Sequence, residues 1–292
     1  MNRLSLSSKG KTLEDLKTYL SRAKVLPLFR FSVNEYRKNK NELIKNIENK
    51  FQSKLIIRSS SHNEDNEDES NAGSFQSVTN VNHKDSNAIK DGIDIVVQSY
   101  GKNISNNDEI FIQPMLESVE MAGVIFSSDI DTLSDYYVIN YDESGSTDSV
   151  TSGKSNNLKT FISFKENKKF NNLRFKEIIF TTKECEKIFD NKYLDIEFAF
   201  VKKQLYILQV RPIVKKGKND LSDINLGESI EKIRLKIENL NSKHPNLLGD
   251  KAIFGVMPDW NPAEIIGLRP KSLALSLYKE LITDETWAHQ RD

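Results

Sequence analysis

Two neighbouring runs, LDIEFAFV (residues 194–201) and LYILQVRP (residues 205–212), constrain this chain more than anything else in it. Each alternates with period two, the mark of a strand whose successive side chains point to opposite faces. In the first run, Leu194, Ile196, Phe198 and Phe200 share one face, and Asp195, Glu197 and Ala199 share the other. In the second, Gln209 and Arg211 share a face with Leu205 and Ile207. Register parity decides whether these polar residues meet. A two-residue turn at Lys202-Lys203 opposes Glu197 to Leu208 and separates the two sets. A three-residue connection, or a bulge, opposes Glu197 to Gln209 and Asp195 to Arg211. Two readings then stand side by side. One is a surface ion pair on a solvated sheet face, worth little. The other is a hard-oxygen metal site beside an arginine clamp, suited to Mg2+ and a nucleoside triphosphate.

Other strands are legible in LIIR from Leu55, EIFIQPML from Glu109, AGVIFSSD from Ala122, YYVINYD from Tyr136 and KTFISF from Lys159. Thr12, with Asp15 three residues on, marks a helix start ahead of Leu13, Leu16, Leu20 and Ala23. Lys9-Gly10 then stands just before a helix N-terminus, a place that favours anions. Thr181 and Glu184 have capping-box spacing at the head of a short helix, TTKECEKIFD. Residues 144–157 form a long polar loop, and the apolar-poor run after Pro212 is a linker by composition. Ile230, Ile233, Ile237 and Leu240 mark a later amphipathic helix. Strands and helices in blocks, without regular alternation, predict an α+β chain with mostly antiparallel sheets and a C-terminal helical segment.

Composition excludes several classes. With 42 basic and 42 acidic residues, the chain lacks the basic footprint of a nucleic-acid binder. It has no apolar run long enough to span a bilayer and no signal-peptide core, which predicts a cytoplasmic protein without a membrane partner. Cys185 is the single cysteine, so no internal disulfide forms, and its helical setting predicts a passive thiol.

One further stretch raises a question of its own. LIIRSSSHNEDNEDESNAGSFQSVTNV (residues 55–81) places an arginine at the end of an apolar strand, then an acidic run, then a small-residue turn. Three fragments here together resemble the nucleotide-binding domain of the phosphoenolpyruvate synthase and pyruvate phosphate dikinase family. RSSSHNED…NAGSFQSVTNV is similar to its "RSSA…ED…AGQ…T.LNV" signature, and FIQPML…AGVIFSSD to its "VVVQ.MV…AGV.FT.D" pair. LDIEFAF…LYILQVRPI is similar to its "DIEWA…LYILQ.RP" ending. Lys9, in LSSKGKTLEDL, sits where the family has a lysine after two glycines. The likeness covers about residues 3–213 and implies an ATP-grasp fold, in which two α+β subdomains clamp ATP.

The resemblance assigns roles residue by residue. Lys9 and Arg58 would contact ATP phosphates. Gly73, with Ser77 and Val78, would form a phosphate-facing loop in which glycine permits close backbone approach. Gln113 would lie near the adenine. Glu197 and Gln209 would hold Mg2+, and Arg211 would bind the terminal phosphates, so that Arg58 and Arg211 serve the chemistry. The implied divisions are residues 1–108 and 109–213 for the two subdomains, 214–250 for a linker and helix, and 251–292 for the start of an acceptor-binding domain. This sequence departs from the pattern in three places. Ser7-Ser8 replace the paired glycines, ESGSTDSVTSG replaces a GLGE…G loop, and residues 89–107 are shorter.

The segment MPDWNPAEIIGLRPKSLALSLYKELITDETWAHQR (residues 257–291) resembles the start of the second domain of the L-glutamine kinases and close relatives. Those enzymes phosphorylate the amide nitrogen of glutamine in capsular phosphoramidate biosynthesis. Asn261-Pro262 fits an N-cap followed by proline at the first helical position. Leu273, Leu277 and Leu281 share one helix face, expected to be core. The family relays phosphate through a histidine in a context like T-S-H-A. His62, His83, His244 and His289 stand in SHN, NHK, KHP and AHQ instead. The expectation is an N-terminal piece of a longer enzyme, whose other domains carry the phosphohistidine and bind L-glutamine. Alternatives are another acceptor, such as pyruvate or an antibiotic hydroxyl, or a non-catalytic nucleotide-binding regulatory module.

Overall fold

The computed structural model describes residues 3–60, 65–66, 69–70, 76–101, 104–145, 158–167, 169–213, 226–243, 245–246, 248–250 and 266–287. The chain divides into two compact units, Met1–Gly227 and Glu228–Asp292.

The first unit runs α1 (Lys9–Leu16), β1 (Lys24–Val25), β2 (Phe29–Ser32), α2 (Val33–Lys50), β3 (Leu55–Ser60), β4 (Asp65–Asn66), β5 (Glu69–Ser70) and β6 (Ser77–Val81). It continues with α3 (Ser86–Ser99), β7 (Glu109–Pro114), β8 (Val119–Phe126), β9 (Tyr136–Asp142), β10 (Lys159–Phe164), α4 (Leu173–Phe189), β11 (Leu194–Val201) and β12 (Gln204–Pro212). Six strands form the larger sheet, in the order β1-β12-β11-β8-β9-β10. Four form the smaller, in the order β2-β7-β3-β6. Every pairing in both is antiparallel except β1 with β12. The chain is α+β with mostly antiparallel sheets, as its sequence predicts.

Each sheet buries one face under helices. On the larger, Ile196, Phe198 and Phe200 pack with Ile178, Ile179 and Cys185 of α4 and with Leu13 and Leu16 of α1. Burial pushes the Cys185 thiol pKa up, so it stays protonated and inert. On the smaller, Ile57, Ile110 and Ile112 pack with Tyr36 and Ile47 of α2 and with Ile89 and Ile93 of α3. Alternation therefore frees the opposite face of each sheet for polar residues. The chain passes between the sheets twice, at residues 26–28 and at residues 115–118. β7 completes the smaller sheet, so the second passage falls after Pro114 and not at 108/109, where the sequence placed the subdomain boundary. Alternation identifies EIFIQP as a strand but does not say which sheet it joins.

Three helices differ from expectation. α1 begins at Lys9 with Ser8 as N-cap, so Lys9 and Gly10 form its first turn. Thr12 is buried within the helix, where its hydroxyl accepts the Ser7 N–H at 2.9 Å. α4 begins at Leu173, where the Asn172 side chain accepts from Arg174 N at 2.8 Å and Phe175 N at 3.4 Å. Thr181 lies buried in mid-helix because Phe175, Ile178 and Ile179 extend the apolar face an extra two turns. α2 has a weak apolar pattern and goes unnoticed in sequence, although Ser32 and Glu35 form a full capping box. Glu35 N donates to Ser32 Oγ at 3.1 Å, and Ser32 N donates to Glu35 Oε2 at 2.7 Å.

That box yields a stability prediction. Hydrogen bonds from the Ser32 backbone N–H and hydroxyl hold the Glu35 carboxyl below its ordinary value of 4.5. A depressed carboxylate contributes stability that is present above its unfolded pKa and lost as pH falls through the folded one. Ser32→Ala is expected to cost about 1 kcal/mol. The difference between Glu35→Gln and wild type should be full at pH 7 and close below pH 4.5. Thermal melts at pH 7 and pH 3 check both.

α5 (Leu226–Leu240), all but its first two residues in the second unit, exposes Ile233, Ile237 and Leu240 and carries the ion pairs Lys232–Glu228 and Arg234–Glu231. α6 (Ser272–Tyr278) runs directly into π-helical turns over Lys279–Trp287. Leu273, Leu277 and Leu281, expected as core, are exposed here. Asn261 and Pro262 lie outside the described residues. Among the described residues, no helix is long and apolar enough to cross a membrane.

Candidate functional site

The site is built on the β11–β12 hairpin. Lys202 and Lys203 form its two-residue turn, both at positive φ (47° and 65°), as a primed turn requires. Taken alone, that even turn sets Glu197 against Leu208. The register instead shifts between Glu197 and Phe198. Phe198 pairs Ile207 and Glu197 pairs Gln209, so Leu208 is the extra residue of a bulge. The parity reverses there, and Asp195 comes opposite Arg211. Both devices weighed from the sequence are thus present at once, and the bulge decides the outcome.

The smaller sheet supplies the other wall. Arg58 on β3 pairs with Phe111 on β7, and its guanidinium lies 5.5 Å from the Phe111 ring centre. From there it reaches the larger sheet. Nη1 donates to the carbonyl of the bulged Leu208 at 3.2 Å. Nη2 lies 3.4 Å from Glu197 Oε2 and 3.3 Å from Gln209 Oε1. One residue pair further along the hairpin, Arg211 Nε donates to the buried Asp195 Oδ2 at 2.7 Å. Three of the sequence-selected residues therefore meet at one point, and a fourth stands beside them.

Lys9 enters from α1. It is buried, and the next residue's N–H donates to Ser60 Oγ at 2.9 Å, two residues beyond Arg58 on the same strand face. Ser8 Oγ donates to Glu109 Oε2 at 2.6 Å, an anchor that a glycine at this position could not supply. Glu109 also pairs with Arg30, which reaches Glu14 at 2.9 Å. Burial works against the Arg30 charge, but the bonds to Glu14 and the Glu109 carboxylate outweigh it and raise the Arg30 pKa. An added Cβ on Gly10 would meet Arg30 Cδ at 3.0 Å, so the helix start is packed closely here. Gly10→Ala is accordingly expected to disturb the seat of Lys9, at a cost of about 1–2 kcal/mol, measurable by urea unfolding.

The remaining candidates divide. Gln113, on β7, is buried on the Phe111 face, and its Nε2 has no acceptor among the described residues. Ser77 and Val78 belong to strand β6 and not to a loop, because SVTNV pairs with β3. Ser77 lies opposite Arg58. Val78 pairs with Ile57 and packs into the core under α3, so its side chain points away from the Arg58 face. Gly73 and most of the 144–157 loop lie outside the described residues.

Sequence reasoning missed Phe111, the carbonyl of Leu208 and a small apolar patch. Leu116, Val119, Ala122, Ala199, Val201 and Leu208 form that patch, and Ala199 is two residues from Glu197 on the same strand face. An apolar floor beside a row of cations and oxygens suits a ligand with one flat apolar end and one anionic end.

The donor set also fits Mg2+. Glu197 Oε2 and Gln209 Oε1 converge on a single cationic nitrogen, so a positive charge is already accommodated between two hard oxygens. No cluster of three or more His, Cys, Asp or Glu able to hold a metal occurs among the described residues. Two protein oxygens suit an ion that takes its other ligands from water and phosphate.

No protein-family model matches this chain, and no curated protein does. Solved structures do resemble it. The D-alanine–D-alanine ligase from Helicobacter pylori matches at 15% identity and a TM-score of 0.44, over 71% of this chain and 54% of that one. The VanG D-Ala:D-Ser ligase from Enterococcus faecalis matches at 13% and 0.40, over 74% and 55%. The D-alanine–D-alanine ligase from Bacillus anthracis complexed with ATP matches at 10% and 0.37, over 77% and 60%. The chain spans little more than half the length of these structures.

Proposed function

We propose that this chain binds Mg-ATP between its two sheets, as an ATP-grasp module, and cleaves it for a cytoplasmic kinase resembling phosphoenolpyruvate synthase. In that proposal ATP and water yield AMP, phosphate and a phosphoryl group carried on a histidine of a separate domain. The final acceptor is the amide nitrogen of L-glutamine, bound by a further domain. The observation that carries the nucleotide part is the meeting of Arg58 with Glu197 and Gln209 across the two sheets. The glutamine part rests on the likeness of residues 257–291 to L-glutamine kinases.

The division of labour follows from chemistry. Arg58 and Arg211 present planar guanidinium groups that match phosphate oxygens. Lys9 adds a third cation at a helix N-terminus, where the helix dipole also favours an anion. Ser77, with Gly73 and the Val78 backbone, would line the phosphates, and Gln113 would offer near the adenine its Nε2, which has no acceptor among the described residues. Glu197 and Gln209 would hold Mg2+, which supplies positive charge against the transferred phosphoryl group. Positioning and electrostatics are the main protein contributions to such a transfer.

Calorimetry with Mg2+ and a non-hydrolysable ATP analogue tests the site. Arg58→Ala and Arg211→Ala should each lose about 1.5–3 kcal/mol of binding, roughly 10- to 150-fold in Kd. Wild-type affinity in both variants would remove these arginines from the nucleotide site.

A further inference from the structure

Arg58 stands where the proposed cation would stand. Its Nη2 lies within 3.4 Å of both Glu197 Oε2 and Gln209 Oε1, the two oxygens assigned to the metal. A guanidinium and a divalent ion cannot share that point. We infer that Arg58 is a displaceable guard of the cation site: it keeps free metal out and withdraws only when a nucleotide offers it phosphate oxygens. The inference rests on the nucleotide proposal and adds an order to it, because metal then enters together with the nucleotide.

Three features support a guard and not a fixed strut. The Arg58 contacts, at 3.2, 3.4 and 3.3 Å, sit at or beyond the long end of the N–H···O range. The neighbouring Arg211–Asp195 contact is far tighter, at 2.7 Å. The Arg58 guanidinium rests against the Phe111 ring, a surface over which a cation keeps favourable contact as it shifts. Gln209 is buried and turns its oxygen to Arg58, while its Nε2 has no acceptor among the described residues. Its amide orientation therefore answers to the cation in front of it.

The probe is Mn2+ alone, with no nucleotide, and free Mn2+ is counted by electron paramagnetic resonance. Arg58→Met keeps an unbranched stem against Phe111 but removes the guanidinium. This variant should bind Mn2+ at least about tenfold more tightly than wild type, while its affinity for the Mg–ATP analogue falls. Adding Glu197→Gln should abolish the gain. No gain, or a gain that survives Glu197→Gln, overturns the guard. Should Arg58→Met fail to fold, the wild type still decides through the Gln209 side-chain amide signal in NMR. Mn2+ alone should spare that signal, and Mn2+ with the ATP analogue should broaden it. Equal broadening by Mn2+ alone overturns the guard. If the analogue does not bind wild type at all, the nucleotide proposal fails instead, and the Mn2+ titration of Arg58→Met still reads the guard by itself.

Discussion

No phosphoramidate signal is expected in phosphorus NMR when the 292-residue chain is incubated by itself with ATP, Mg2+ and L-glutamine. The proposed transfer runs through a nucleophilic histidine in a defined pocket of another domain. A relay histidine needs an activating environment, and an isolated surface imidazole does not supply one. The histidines of this chain stand in SHN, NHK, KHP and AHQ, none of them the relay context. Slow release of phosphate from ATP is expected, because water can replace a missing nucleophile at the proposed ATP site. Supplying a relay and acceptor domain as a second chain should restore some transfer where the domains can meet. A phosphoramidate signal from this chain alone would show that its ATP site phosphorylates the acceptor directly.

Gly123→Ala is expected to lower the stability of the first unit by about 3 kcal/mol, at the upper end of overpacking costs. Gly123 lies on β8, paired with Phe198 on one side and Tyr141 on the other. A Cβ there would stand 2.3 Å from the Asn140 carbonyl oxygen and 2.8 Å from Phe198 Cζ. The ring can turn, but a strand carbonyl moves only with its strand. β9 must therefore shift, and the adjacent Val124–Glu197 pair beside the site is disturbed with it. For a unit of this size the melting temperature should fall by about 6–12 °C. Stability within about 0.5 kcal/mol of wild type, the usual range for neutral surface changes, would show that β8 and β9 separate freely at this point.

The two hairpin strands were legible because their alternation is strong and their polar residues sit on defined faces. What the sequence left open was parity, and one bulged residue, Leu208, settled it. Bulges carry no clear signature unless glycine forms them, so both registers are compatible with the sequence. α4 was placed eight residues late because a plausible Thr181–Glu184 box competed with the true cap, Asn172. α2 escaped notice because its buried residues are sparse, and only the Ser32–Glu35 box announces it. At the site, Glu197 and Gln209 stand out by strand alternation and Arg58 by motif likeness, and the structure brings the three together. Phe111 and the Leu208 carbonyl were not found, because an aromatic residue in a strand and a main-chain oxygen leave no distinctive trace in sequence. Val78 was assigned by motif to the phosphate side, yet period two sends it to the opposite face from Arg58.

The double passage of the chain between the sheets has a mechanical consequence. A body tethered at one point can swivel about any axis, but one tethered at two separated points keeps a single easy rotation. In the larger sheet, β1 and β8 lie three strand positions apart, about 14 Å at ordinary strand spacing. In the smaller sheet, β2 and β7 are neighbours. Any relative motion of the two sheets is therefore restricted to that of a door on two pins, not a ball on a string. Pro27 stiffens the first pin by fixing its own φ. Residues 115–118 form the second pin, where Ser118 sits at a left-handed φ of 54°.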